Sequence, residues 1–370
     1  MIKCGIIGCG KVGDFHARGY LKSEEAELTA VVSGHFERAE AFAKKYDGVK
    51  ACRSIKEMAD LGVQAVSICT PHPLHAKVAV EAIECGMHVA IEKPLASSLE
   101  DCDAILNAAA KKGVKVSTIC QRRFYLPSIR VKEAIDQGKI GRPILGTVNM
   151  FGWRDEAYYN SDPWRGTWDG EGGGVLVNQA PHQLDLLLWY MGEVESVYGI
   201  QANLNHPYIE VEDTAVAVIR FKNGGIGNIV VSNSQNPALY GKVHVFGENG
   251  AGVGVQTDGG AMFVAGMSGI TEPPKVDLWT VKGEEACMDE WNKEDAKLFE
   301  DPDSLYLFHE RQIDDFVKSI VEDRDPFITG EDGRRTVELF TAIYRATRDR
   351  KEICFPLVPE YGTDFDGRLK

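Results

Sequence analysis

Residues 1–16 read MIKCGIIGCGKVGDFH. The apolar run Ile2 to Ile7 stops at Gly8, and Gly8, Gly10 and Gly13 then fall at G-x-G-x-x-G spacing before a helix-like segment from Val12 to Leu21. The pattern predicts strand, tight turn and helix. The first glycine permits the turn, the second lets a pyrophosphate approach the backbone, and the third lets the helix pack on the strand. Phosphate would sit at the helix N-terminus, where free N–H groups favour negative charge. Dinucleotide binding is therefore the expectation, with Gly8, Gly10, Lys11, Val12 and Gly13 as contacts; a merely structural glycine turn is the alternative.

The segments that follow fit a doubly wound α/β unit. Leu28 to Val32 is a β-branched run ending in Ser33-Gly34-His35, with the helix-like FERAEAFAKKY behind it. This strand end is where the ribose lies, and an acidic residue there is the usual partner of its 2′-hydroxyl. Here the place is taken by Ser33, with His35 and Arg38 nearby, so the repulsion that excludes a 2′-phosphate is missing. NAD or NADP is expected as cofactor, with a lean to NADP.

Ala65 to Cys69 is a third buried strand, running into Thr70-Pro71-His72-Pro73-Leu74-His75 and a helix. His88 to Ile91 is a fourth, ending in Glu92-Lys93-Pro94. Ligands of open α/β sheets bind at the carboxyl ends of strands, so Thr70, Pro71, His72, His75, Glu92 and Lys93 join the expected cofactor contacts. His72 and His75 can equally be a turn histidine and a helix-capping histidine, and Lys93 a solvated lysine. Helix Leu99 to Lys112 and strand Val114 to Ile119 complete the unit near Gln121, a further cofactor candidate, and Arg123, a substrate candidate.

The chain has 370 residues, more than one core usually supports, and the expected domains are 1–122 and 123–370. A net charge of −14 repels nucleic acid and anionic membrane. No apolar run approaches the ~18 residues of a membrane span. The N-terminus enters a strand without a charged leader, and the nine cysteines include no C-x-x-C pair. A cytoplasmic protein is expected, with neither a disulfide framework nor a metal site.

At GCGKVG, SICTPHPLH and VAIEKP the chain resembles the glucose–fructose oxidoreductase / inositol dehydrogenase (Gfo/Idh/MocA) family. The resemblance implies a nicotinamide-dependent sugar or cyclitol oxidoreductase. It also implies a Rossmann domain followed by an α+β domain built on a large open, mostly antiparallel sheet. It continues at GGGVLVNQAPH, residues 172–182, which is similar to the family's catalytic helix. There an acidic residue, a histidine four positions on and the lysine of the EKP triplet surround the reacting carbinol. The match carries over to His182 and Lys93. The acidic position holds Asn178, which can hydrogen-bond but cannot take a proton.

Between these motifs lies WRDEAYYNSDPWRGTWDGEGGG, residues 153–174, rich in aromatic faces beside Arg, Asp and Asn. Such a loop suits a sugar wall, since CH faces stack on rings and hydroxyls take hydrogen bonds. Arg154, Tyr158, Trp164, Arg165 and Asn178 are the candidates; a loop packed on its own aromatics is the alternative. Asn178 and His182, four apart, are expected on one helical face, with Asp185 close by. Further strands are expected at Glu193–Leu204, Glu212–Phe221, Gly227–Asn233 and Lys242–Phe246, then irregular strands from Gly247 to Gly269 and an insertion from Trp279 to Phe299. His309, on a late helix, either reaches the site or lies on the helix surface. A broad sheet with one bare face usually finds a partner, so a homodimer or homotetramer is expected.

The expected reaction moves hydride between nicotinamide and a secondary alcohol of a neutral sugar, glycoside or cyclitol. The charges of loop 153–169 nearly cancel, and the Asn-to-His pattern looks like that of sugar 3-dehydrogenases, so C3 is the favoured carbon. His182 serves as general base and Lys93 steadies developing negative charge. Two other classes remain open: redox-neutral, NAD-dependent glycoside cleavage, and a sugar-sensing regulator that has lost catalysis.

Overall fold

The computed structural model describes residues 1–239, 241–257, 273–298, 300, 301 and 303–360. The chain divides into two compact units, the first comprising 1–121 and 306–334 and the second 122–305 and 335–370.

The first unit is built on a six-stranded sheet. Its strands are β1 (Ile2–Ile7), β2 (Ala26–Val32), β3 (Lys50–Cys52), β4 (Ala65–Ile68), β5 (His88–Ile91) and β6 (Val116–Thr118), in the order β3-β2-β1-β4-β5-β6. All pairs are parallel, as the near-continuous apolar runs require when both faces are covered. The helices begin where the chain supplies caps: Ser98 accepts a hydrogen bond from the Asp101 amide at the start of Leu99–Lys112, and Gly113 ends that helix at φ +67°.

The first unit leaves off at Gln121 and resumes over 306–334, so neither unit is one continuous segment. Helix Ser304–Val321 sends Ile313, Phe316 and Val317 into the core formed by Cys4, Ile6, Tyr20, Val31 and Phe42. Gly19 permits the approach, since a Cβ there would come within 2.7 Å of Ile313. Gln312 on the same helix donates to the Thr118 carbonyl (2.8 Å) and accepts from the Cys120 amide (3.1 Å), closing the end of β6. Apolar burial and these two bonds return 306–334 to the first unit.

The second unit carries an eight-stranded sheet: β7 (Pro143–Phe151), β8 (Val194–Ala202), β9 (Thr214–Phe221), β10 (Ile226–Ser232), β11 (Lys242–Gly247), β12 (Gly252–Gln256), β13 (Lys275–Trp279) and β14 (Ile353–Cys354). The order is β13-β12-β11-β7-β10-β9-β8-β14, antiparallel except for the parallel pair β7–β10. Strict alternation along β9 leaves Val216 and Val218 exposed, beside Tyr198 and Ile200 of β8 and Ile226 of β10. The opposite face is buried; Gly146 of β7 lets Leu187 and Met191 of helix Pro181–Met191 lie directly on the strand.

Two details differ from expectation here. The segment Val175–Met191 is two helices, Val175–Asn178 and Pro181–Met191. Pro181 has no amide proton to continue the first helix but suits the opening turn of the second. Asn178 and His182 therefore do not share the face of one continuous helix. The glycine-rich stretch holds β12, while its later part, 258–269, lies outside the described residues. The expected insertion is a helix, Cys287–Leu298, fastened by an Arg130–Asp295 ion pair at 2.6 Å and by Trp291 against Trp279.

Candidate active site

In the first unit, the carboxyl ends of adjacent strands β1, β4 and β5 bring Gly8, Thr70 and Lys93 to one sheet edge. Gly8 has φ +108°, and a Cβ on it would stand 2.5 Å from the Cys69 carbonyl. A Cβ on Gly13 would meet the Gly8 carbonyl at 2.8 Å, the close helix–strand approach that the third glycine of such a loop serves. Gly10 differs from both: no atom lies within 4 Å of a Cβ built there, so its backbone is open to a ligand. The helix Lys11–Lys22 starts at this point with Gly10 as N-cap. This cradle fits a dinucleotide pyrophosphate, with Lys11 and Val12 in the first helical turn.

At the end of β2, Ser33 is half-buried while Gly34, His35 and Arg38 are exposed. Arg53 was not foreseen. It follows Cys52, the register partner of Val32, and its guanidinium lies 3.9 Å from the centre of the Phe36 ring.

The edge residues after β4 and β5 differ in how far they are exposed. Thr70, Lys93 and Gln121 are half-buried and Pro71 is exposed. His75 is fully buried, with Nδ1 2.9 Å from the Pro94 carbonyl and Nε2 2.9 Å from the Thr70 carbonyl. It braces the two turns to each other, and this corrects its expected cofactor contact. Burial also pushes its pKa down. His72 is buried beside it, ring centres 5.7 Å apart. Glu92 is likewise turned inward: Oε1 is 3.0 Å from His16 Nε2 and 3.9 Å from His309 Nε2. His16 Nδ1 continues to Ser67 Oγ at 2.8 Å, which meets Tyr20 Oη at 2.7 Å. Glu92, its side chain 13% exposed, anchors the turn behind Lys93, and His309 is an internal residue rather than a helix-surface one. The spacing held a signal for His16: His16, Ala17 and Tyr20 share the inner face of their helix.

In the second unit, the loop from 153 closes on Tyr158. The Tyr158 hydroxyl accepts from Asn178 Nδ2 (3.0 Å), Gln179 Nε2 (3.2 Å) and Arg165 Nη1 (2.5 Å). Arg165 also stacks on the rings of Tyr158 and Trp164, and Arg154 is buried with Nη1 on the Trp153 carbonyl. Burial, reinforced by the Glu171 charge, pushes the Tyr158 hydroxyl up to about 12, so it stays protonated at neutral pH. Gln179 is tied onward to Asn233 at 2.8 Å. The loop is thus packed on its own aromatics and polar groups, and four of the five expected wall residues, Arg154, Tyr158, Arg165 and Asn178, belong to this cluster.

Two carboxylates that no motif marks hold this region. Glu212 accepts from the amides of Gly174 (2.9 Å) and Leu176 (3.0 Å) and from Tyr344 Oη (2.9 Å), fixing the start of helix Val175–Asn178; burial raises its pKa to about 7. Glu171 is buried against Asn178 and the Gly166 amide. Arg123, expected to meet substrate, instead grips Asp185 through Nε (2.8 Å) and Nη2 (2.6 Å), both residues buried. This pair ties the turn Gln121–Phe124 to the helix that carries His182, itself 7% exposed. Among the described residues no group of three or more His, Cys, Asp or Glu could hold a metal ion, and no helix is long and apolar enough to cross a membrane.

Residues 2–119 match the family model described as oxidoreductase family, NAD-binding Rossmann fold, and residues 129–253 match the GFO/IDH/MocA C-terminal domain. The chain belongs to the Gfo/Idh/MocA oxidoreductase family. Among solved structures, the WlbA dehydrogenase from Bordetella pertussis, in complex with NADH and UDP-GlcNAcA, is similar at 32% identity and a TM-score of 0.83, over 96% of this chain and 98% of that one. Myo-inositol 2-dehydrogenase of Thermotoga maritima is 27% identical over 95% of this chain and 98% of its own length. D-glucoside 3-dehydrogenase of Escherichia coli is 28% identical over 61% of this chain and 68% of its own. The family thus joins NAD-binding Rossmann domains to sugar and cyclitol oxidoreductases.

Proposed function

We propose that this family member oxidises a secondary alcohol of a neutral sugar, glycoside or cyclitol, with C3 of a sugar as the favoured carbon. The observation that carries the reading is Lys93, set on the same sheet edge as the open backbone of Gly10, where an open α/β sheet binds its ligands. A nicotinamide cofactor bound at this edge would supply the hydride acceptor. His182 takes the hydroxyl proton, and the Lys93 ammonium steadies the negative charge that builds on the oxygen.

The neutral-substrate reading is supported by the commitments of Arg154 and Arg165 within their own loop, and by the buried carboxylate of Glu171, which disfavours a second one beside it. The likeness to D-glucoside 3-dehydrogenase supports C3. Either nicotinamide cofactor is accepted, with a lean to NADP supported by Ser33, exposed His35 and Arg38, and the Arg53 guanidinium held on Phe36. A homodimer or homotetramer formed through the exposed apolar face of β8, β9 and β10 fits the same protein.

A panel of free sugars, glycosides, inositols and one nucleotide-linked uronic acid, followed by reduced-cofactor absorbance, tests the substrate class. Activity on neutral members is expected, and turnover of the uronic acid alone would overturn it. Lys93→Ala should abolish most turnover and Lys93→Arg should not restore it, because a planar fork cannot replace a compact ammonium.

A further inference from the structure

His16 is fully buried on helix Lys11–Lys22, the helix that begins at the open backbone of Gly10. Its Nε2 lies 3.0 Å from Glu92 Oε1, and its Nδ1 lies 2.8 Å from Ser67 Oγ, which Tyr20 Oη meets in turn at 2.7 Å. The second oxygen of the same carboxylate, Glu92 Oε2, accepts from the backbone amide of Lys93 at 3.2 Å. Burial would raise the pKa of this carboxyl, but the hydrogen bond from His16 leads the effects that bring it down to about 2, so at neutral pH it is ionised and can only accept. His16 therefore presents Nε2–H to it. The residues on either side of Lys93 have main-chain holds of their own: the Glu92 amide donates to the Ile68 carbonyl at 3.0 Å, and His75 Nδ1 meets the Pro94 carbonyl at 2.9 Å. The Lys93 amide is held by the Glu92 carboxylate.

We propose that His16 is a positioning residue: through the Glu92 carboxylate it sets the main chain of Lys93, the root of that side chain, against the helix that begins at the dinucleotide cradle. The inference rests on the charge-steadying role proposed above for Lys93. A lysine stem is long and flexible, so fixing its root limits where the ammonium can stand. Ser67 and Tyr20 keep the imidazole from turning away, and neither touches the carboxylate. Without the His16 donor, an ionised carboxylate with a side chain only 13% exposed keeps too few partners for its charge. It then turns toward water and releases the Lys93 amide.

Two amides separate the two bonds of the imidazole. The amide nitrogen of glutamine stands as many bonds from Cβ as Nε2, and that of asparagine as many as Nδ1, so His16→Gln keeps the donor to Glu92 and His16→Asn loses it. His16→Asn should lower kcat on the best sugar of the panel by roughly 10-fold to 100-fold, the cost of a small misplacement of a catalytic group. Sugar KM and the cofactor dissociation constant should stay near wild type, and the Lys93 amide should exchange faster, read by deuterium uptake. His16→Gln should restore both kcat and slow exchange. Glu92→Gln keeps the volume but leaves one accepting oxygen where two are needed, so it should repeat the kcat loss, and it decides the matter if His16→Asn does not fold. Wild-type kcat in His16→Asn or in Glu92→Gln, or His16→Gln as slow as His16→Asn, would overturn the proposal. If wild type turns over no sugar of the panel, the reading of Lys93 has failed, and amide exchange still decides on His16. Faster exchange in His16→Asn, reversed in His16→Gln, supports the positioning role; equal exchange in wild type and His16→Asn contradicts it.

Discussion

Glu92 Oε1 lies 3.0 Å from His16 Nε2 inside the first unit, directly before the lysine to which the account gives the oxyanion role. Burial alone would raise the pKa of Glu92, but the hydrogen bond and charge of His16, with help from His309 and Lys93, bring it down to about 2. His309, at 3.9 Å, is pushed down to about 4 by burial against the partial attraction of Glu92.

Both shifts are depressions, and both make the fold acid-sensitive. Above pH ~6.5 a histidine is neutral whether folded or not. As pH falls from there toward about 4, the unfolded chain takes up a proton that buried His309 refuses, and stability declines. Between the ordinary carboxylate range and about 2, Glu92 adds a second loss. Urea midpoints followed from pH 7 to pH 4 should fall in wild type and fall less in His309→Phe. Equal slopes in the two proteins would show that His309 does not titrate in this way.

The Arg123–Asp185 pair makes a different kind of prediction. Removing one partner leaves the other charge buried, so Asp185→Asn or Arg123→Met alone should cost about 3–5 kcal/mol of stability. Replacing both with apolar residues of similar volume should cost much less. Denaturant titration of the three variants checks this, and additive losses would mean that the two side chains do not depend on each other.

Ser33→Asp tests the cofactor edge. A carboxylate at the end of β2 repels a 2′-phosphate and accepts from a ribose diol, so the ratio of NADP to NAD dissociation constants should rise. The lean to NADP fails if wild type already rejects NADP. Arg53→Gln, measured beside it, should weaken NADP binding more than NAD binding.

Much of the fold could be read from periodicity, because its signals are local. Helix Leu99–Lys112 carries its own caps, β5 is an apolar run after His88, and β7 alternates cleanly. The return of 306–334 to the first unit was hidden, since an amphipathic helix does not state which core it covers. The break at Pro181 is legible from its missing amide proton, against which the i, i+4 spacing of Asn178 and His182 points to one helix. The placement of a residue was legible where a motif fixes a strand end, as for Gly10 and Lys93. It was not legible where a side chain faces inward: nothing in the one-dimensional pattern distinguishes Glu92 or His75, which brace the turns, from groups that meet a ligand. Arg123 shows the same limit, because its partner Asp185 lies 62 residues away.

The central claim is that His182 removes the proton of the substrate hydroxyl. Steady-state turnover of His182→Ala on the best sugar of the panel, with cofactor affinity measured in parallel, addresses it directly. The account predicts turnover lower by roughly 10²–10⁴-fold, the scale of general base catalysis, with the cofactor dissociation constant unchanged. Turnover near that of wild type would contradict it.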